Sequence, residues 1–352
     1  MRSAARTSAS RGTRPPIRRI RRRWCCSGDS FDSWSGDGGG GGGWRSNLLA
    51  LSEDRDLTDG LTFKTMIADP AMPGYAKEII GSAHDTSGNG DFTAIPAAGV
   101  TVGNRHYIEY MQIKAWGAAG RWTTNFSEIA YSDDDGQTWT KSGVKWDSGS
   151  KFAQSAYLKD GGYVYMFGTP TGRFGGIYLS RVPEADILTK ASYEYWNGTD
   201  WTANDETAAV RIVDAPAGEL SVAYNAYYDK YIMTYLNEDR AAIALRSSSE
   251  LTGGWSGESE IATGGGIPRA LRRVHPPLES AGQGSLFPHV AMAAVQRISN
   301  ACYARARQSR AQSDRRPELR GSNVRHDLGA VGAGERQRRR GSQRRLVPQR
   351  RQ

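Results

Sequence analysis

No stretch of this 352-residue sequence is apolar for long enough to cross a membrane, and no long amphipathic helix is legible in it. No apolar run follows the arginines of residues 18–23, so no signal peptide can be read. His84, His106, His275, His289 and His326 lack metal-ligand spacing. There is no Ser-His-Asp arrangement, phosphate loop or dinucleotide fingerprint, which excludes the usual nucleotide and nucleophile chemistries. The expectation is no metal and no cofactor. Cysteine is scarce: Cys25, Cys26 and Cys302, with none between residues 28 and 265.

Other absences are regional. Residues 1–23 hold nine Arg and no acid, and residues 266–352 hold 19 Arg against five acids. Neither end contains a single Lys, and all ten Trp fall between Trp24 and Trp255. The middle, residues 24–265, carries 18 bases against 32 acids. The formal net charge of +9 would suggest a nucleic-acid partner, but it belongs wholly to the ends. No nucleic-acid partner is expected.

Arginine without lysine is what GC-rich coding DNA yields when read out of frame. Shifting His289–Ala301 by one nucleotide permits Met-Ser-Gln-Trp-Gln-Pro-Tyr-Asn-Val-Tyr-Leu-Met, far more protein-like than the written text. Trp24-Cys25-Cys26-Ser27 read two nucleotides in gives Val-Leu-Phe, a buried strand running into Gly28-Asp29. Three segments follow: an out-of-frame, disordered 1–27, a domain over 28–265, and an out-of-frame, Arg-rich, disordered 266–352.

What the domain does contain centres on Gly28-Asp29-Ser30-Phe31-Asp32-Ser33, the glycines 38–43, and Trp44-Arg45-Ser46-Asn47. Consecutive glycines make a poor strand but let backbone approach a ligand closely. Short strands follow with a turn every ten residues or so. Ser46–Ser52 and Leu61–Phe63 are strands, and Val100–Val102 turns at Gly103-Asn104 into the alternating strand Arg105–Trp116. Glu184–Leu188 reads as a short helical turn. Ser132, Asp134, Gly136 and Trp139 form an Asp box, a hairpin turn of sialidase-like propellers whose side chains bond its own backbone. Its carboxylate is structural. The loose repeat of roughly 45–55 residues per four strands is propeller-blade spacing. The expected fold is all-β, a five-bladed β-propeller with about four blades readable.

These pieces together resemble one actinobacterial family of endo-D-arabinanases, formerly grouped as a domain of unknown function. The resemblance rests on Gly28-Asp29-Ser30-Phe31, Trp44-Arg45-Ser46-Asn47, Met111-Gln112-Ile113 with Trp116, and Trp122-Thr123-Thr124-Asn125. It rests also on the Asp box, Tyr165–Thr169, Gly172-Arg173-Phe174, and Glu219–Val222 with Tyr224-Asn225. It implies a secreted or cell-surface glycoside hydrolase cutting the D-arabinan of mycobacterial arabinogalactan and lipoarabinomannan. It implies a monomer with arabinofuranan as partner, and makes Asp29 one of the family's aspartate pair. The other aspartate falls on the unreadable segment before it.

Glycoside cleavage needs two carboxyl groups. Asp29, after a buried strand, projects at the channel mouth. Glu219, a lone acid in a small and apolar stretch, is the best second carboxylate as written, and holding Arg173 is its equal alternative. Asp32 and Asp91 rank lower. Arg45, Asn47, Gln112, Arg173 and Asn225 are candidates for bonding furanose hydroxyls, and Trp44, Trp116 and Tyr224 for stacking on sugar faces, or else for propeller core. With its first strand and last blade out of frame, the chain as written is expected to be inactive. A non-catalytic carbohydrate-binding propeller, such as a surface or phage-tail adhesin, is the alternative.

Overall fold

Short strands joined by tight turns bond to their sequence neighbours, and here they do so sheet by sheet. The computed structural model describes residues 23–30, 43–53 and 62–263. All lie within one unit, residues 1–312. The first sheet holds β1 (Arg23–Ser27), β2 (Leu48–Ser52) and β3 (Thr65–Met66). The second runs β4 (Thr93–Val102), β5 (Arg105–Trp116), β6 (Trp122–Ser132) and β7 (Thr140–Asp147).

The third sheet runs β8 (Gln154–Asp160), β9 (Tyr163–Thr169), β10 (Gly175–Pro183), β11 (Glu194–Trp196) and β12 (Trp201–Ala203). In it β13 (Arg211–Ala217) returns to pair with β10. The fourth holds β14 (Leu220–Asn225), β15 (Lys230–Asn237), β16 (Ala242–Ser248) and β17 (Ser259–Thr263). Every pairing is between antiparallel neighbours.

The leading strands β4, β8 and β14 lie side by side, and β1 lies against β4. Between the sheets sit their cores. Leu49, Ile80 and Tyr110 fill the first gap, Trp146, Phe152 and Tyr195 the second, and Phe167, Leu179 and Tyr235 the third. Sheets stacked face to face around a row of leading strands make this an all-β propeller, with four blades among the described residues. The fifth blade expected from the shifted tail lies outside them.

The expected hairpin at Gly103-Asn104 is the β4–β5 turn, and the expected helical turn is a 3-10 helix over Glu184–Asp186. Of the strand expected at Leu61–Phe63, Leu61 lies outside the described residues, and Thr62 and Phe63 precede the short β3. One boundary differs. Residues 23–27, placed ahead of the fold by the sequence, form β1 as written, with Cys26 opposite Leu49. An alternating pattern of backbone donors suffices for that pairing, whatever the side chains. Asp32 and glycines 38–42 lie outside the described residues.

Strand direction decides which residues share an edge. Lys159, near the end of β8, donates to the Thr101 carbonyl near the end of β4 (3.3 Å). Tyr231, opposite Tyr224 near the end of β14, donates to Asp160 at the end of β8 (3.1 Å). The three leading strands therefore run the same way. Their beginnings form one edge of the unit, the starting edge, and their ends form the far edge.

The Asp box falls on the far edge. Ser132 Oγ donates to Asp134 Oδ1 (2.8 Å) and accepts from Gly136 N (2.9 Å). Thr138 gives Asp134 both its amide (2.9 Å) and its hydroxyl (2.6 Å), which hold that carboxyl down at about 2. Gly136 sits at φ +81°, and a Cβ there would lie 2.5 Å from Leu49 Cδ2 of the first blade. The box thus docks one blade on the next. Gly136→Ala is expected to cost about 1–3 kcal/mol in denaturant unfolding, through backbone strain and the Leu49 clash.

A second cost is buried between blades two and three. Glu109 of β5 is fully buried, and the Ser155 hydroxyl donates to its Oε2. Burial pushes its carboxyl well above the ordinary range, against the pull of Lys190. The folded state therefore binds this proton more tightly than the unfolded chain does. Its contribution is complete below the unfolded carboxyl range and is lost as pH rises through the folded value. Lys190, lowered to about 8 by burial, acts the opposite way, losing stability as pH falls through about 8. Glu109→Gln is expected to flatten the fall in Tm from pH 4 toward neutrality; an unchanged slope would refute this.

Candidate active site at the starting edge

Asp29 follows β1, where the Ser30–Arg45 bridge (2.8 Å in both directions) fixes the exit of the strand. Its Oδ1 accepts from Trp44 Nε1 (2.9 Å) and from Thr93 Oγ1 (2.5 Å). Thr93 begins β4, so the carboxyl sits on the starting edge. Burial raises its pKa to about 6, against the opposing hydrogen bonds from Thr93 and Trp44 and the charge of His84. Glu78 pushes the same way as burial.

Glu78 and His84 make the surrounding frame. Glu78 Oε2 meets His84 Nε2 (2.9 Å) and accepts from Ser46 N (2.8 Å), while Oε1 accepts from Ser82 N (3.1 Å). Ser46 Oγ lies 3.1 Å from the same His84 nitrogen and 2.6 Å from Ser82 Oγ. His84 stands at φ +54°, a left-handed conformation that a non-glycine adopts only when its neighbours hold it there. Its ring lies 4.2 Å from that of Trp44. Glu78 therefore fixes His84, His84 braces Trp44, and Trp44 donates to Asp29.

Asp91 enters β4 two residues before Thr93. Gln112 Nε2 donates to its Oδ1 and to the Thr93 carbonyl (3.1 Å). Burial raises the Asp91 carboxyl too, with His84 and Lys141 pulling it down and Glu78 pushing it up. Two carboxyls, both raised, thus answer to the same His84 and Glu78.

A row of rings leads away from Asp29. Trp44 contacts Phe92 (5.5 Å), Phe92 contacts Trp116 (6.4 Å), and Trp116 contacts Trp122 (5.9 Å). The guanidinium of Arg173 lies over Trp122 at 5.9 Å. Arg173 in turn holds Glu219 Oε1 through Nε (3.1 Å) and Nη2 (2.9 Å), and meets Glu238 through Nη1 (3.2 Å). Glu219 immediately precedes β14, so it shares the starting edge with Asp29.

The structure sorts the residues expected from sequence. Trp44, Gln112, Trp116 and Arg173 stand on the starting edge with Asp29. Arg45 and Asn47 are committed to scaffold. Arg45 donates to the Ala76 carbonyl (2.8 Å) and the Gly43 carbonyl, and lies over Tyr75 at 5.1 Å. Asn47 donates to the carbonyls of Ile80 and Ala94 (2.8 Å each) and accepts from the amides of Ile79 and Ile80. These bonds saturate the fully buried Asn47 amide and hold the Arg45 guanidinium, 8% exposed, against the scaffold. Tyr224 and Asn225 end β14 and so lie on the far edge, because six strand residues carry the chain across the blade. Asn225 Oδ1 caps the turn amides of Tyr227 (3.0 Å) and Tyr228 (3.3 Å).

Glu219 answers its alternative reading, a carboxylate clamped by Arg173. Asp91, ranked low from sequence, is the carboxyl that shares Asp29's frame. Glu78 and Thr93 were not singled out from sequence, and His84 only as lacking metal-ligand spacing. No local spacing marks them, since Glu78 and Ser46 meet across 32 residues.

The fold is an all-β propeller that carries Asp29 and a row of aromatic rings on its starting edge. The chain belongs to the family described as Domain of unknown function (DUF4185), which matches residues 21–291. No curated protein matches it. Among solved structures it is similar to a Bacteroides ovatus protein (TM-score 0.46, 12% identity, 69% of this chain and 67% of that one). It is similar also to an α-L-arabinofuranosidase from Clostridium thermocellum (0.45, 14%, 70% and 71%). A third is an exo-β-1,3-galactanase from Phanerochaete chrysosporium (0.39, 11%, 62% and 44%), of which the chain spans under half the length. Among the described residues, no helix is long and apolar enough to cross a membrane and no cluster of three or more ligating side chains is suited to a metal.

Proposed function

We propose that this protein is a glycoside hydrolase acting within D-arabinan chains, with Asp29 as its central carboxyl. The observation that carries the proposal is Asp29 itself, raised to about 6 and bonded to Trp44, the first of a row of aromatic rings on the starting edge. A carboxyl that keeps its proton near pH 6 suits the acid that protonates a departing glycosidic oxygen. Asp91 is the second carboxyl of the proposal, deprotonating the incoming water or attacking the anomeric carbon. The arabinan substrate, a secreted or surface location and a monomeric state rest on the motif resemblance.

The same proposal includes the frame reading of both ends. The chain as written is expected to release no oligosaccharide from arabinogalactan, whereas the product of the frame-corrected gene releases it. Soluble activity from the unedited gene would refute the frame reading. Absence of release from the corrected protein would refute the hydrolase. Binding without release supports the second reading, a carbohydrate-binding propeller, which the Arg173 clamp on Glu219 favours by withdrawing one acid from chemistry.

A further inference from the structure

The far edge holds a pocket that hydrolysis at Asp29 leaves unused. It is an open depression of about 390 Å³ lined by Asp160, Tyr224, Asp229, Tyr231 and Ser249. Its walls come from the end of β8, the β14–β15 hairpin and the residue after β16. Tyr224 donates to Asp229 Oδ1 and Tyr231 to Asp160 Oδ2 (3.1 Å), and the two rings meet edge to face at 5.3 Å. Asp229 takes φ +53°, which closes the hairpin turn.

The same turn carries Tyr227 and Tyr228, 49% and 63% exposed, with rings perpendicular at 4.8 Å. Three exposed tyrosines on one hairpin are more than scattered surface chance supplies. A tyrosine offers an apolar face beside a polar tip. Each aspartate receives one tyrosine hydroxyl and has further lone pairs for hydroxyl donors.

The charge selects among ligands. Two carboxylates disfavour a polyanion. Lys230, bonded to Ser249 Oγ (2.8 Å) at the rim, weakens the case for a basic peptide. What fits both the rings and the acceptors is a neutral polyol with apolar ring faces. We propose that this far-edge pocket is a second saccharide-binding site, taking a segment of a neutral polysaccharide. It does not depend on cleavage at Asp29. On a hydrolase it would tether the polymer and raise its local concentration at the other edge.

The test is affinity electrophoresis of the full chain through gels containing soluble arabinogalactan. Tyr227→Ala with Tyr228→Ala is expected to weaken retardation about tenfold, a loss of about 1.4 kcal/mol. Both side chains are exposed, and an unchanged Tm confirms that the fold is intact. The Phe pair keeps the ring faces and is expected to retain most of the retardation. Retardation equal to the parent's in the Ala pair overturns the proposal, as does a parent retarded only by a gel containing polylysine. Retardation of the frame-corrected protein without oligosaccharide release sinks the hydrolase and leaves this site standing. Release that persists with an indifferent tyrosine pair does the reverse.

Discussion

Asp29→Asn in the frame-corrected protein is expected to lower oligosaccharide release by about 10²–10⁴-fold, the usual worth of a positioned acid or base. The substitution is unusually clean here. Both donors to the carboxyl, Trp44 Nε1 and Thr93 Oγ1, go to Oδ1, and an asparagine oxygen can accept both. The geometry survives while the proton is lost. Stability should not fall with activity. A carboxyl raised to about 6 by burial binds its proton more tightly folded than unfolded, so it subtracts stability as pH rises through 6. At pH 8 the asparagine carries no buried charge, and the Tm of Asp29→Asn should equal or exceed the parent's. With Asp29 as the acid, kcat/KM of the parent should fall above pH 6, by about tenfold per unit. A variant that loses Tm along with activity, or a profile flat from pH 5 to 8, would remove Asp29 from the chemistry.

The reach of the sequence follows the range of each interaction. The Asp box was legible because Ser132, Asp134, Gly136 and Trp139 satisfy one another within eight residues. The place of Asp29 at a strand exit was legible because Gly28-Asp29 reads as the end of a strand, whereas its donors Trp44 and Thr93 are 15 and 64 residues away. The scaffold bonds of Arg45 and Asn47 were not legible, for the opposite reason. Their partners are backbone carbonyls at Ala76, Ile80 and Ala94, and nothing local distinguishes a donor meant for a carbonyl from one meant for a sugar. The motif resemblance grouped Tyr224 with Glu219, but the strand β14 carries Tyr224 to the other edge. The Glu78–His84 frame was invisible, since it exists only once Ser46 is folded against it.

The residue with the largest expected effect on folding is Arg173. Both it and Glu219 are 2% exposed, and Glu219 Oε2 has no hydrogen-bond partner among the described residues. Burial already lifts the Glu219 carboxyl above its ordinary value, even with Arg173 opposing. Arg173→Met would strand that carboxyl in an apolar setting, which typically costs about 3–5 kcal/mol. Glu238 loses a partner as well, but at 24% side-chain exposure it can turn to water. Chemical denaturation should show the loss. A second change, Glu219→Leu, should recover most of it, because the stranded charge and not the missing guanidinium is the source of the cost. Glu219→Gln separates scaffold from chemistry. If Glu219 only anchors Arg173 under the aromatic row, the amide oxygen still accepts and hydrolysis in the frame-corrected protein stays within a few-fold of the parent's. If hydrolysis collapses while stability holds, Glu219 rather than Asp91 is the second acid, and the clamp is a pKa device in place of a strut.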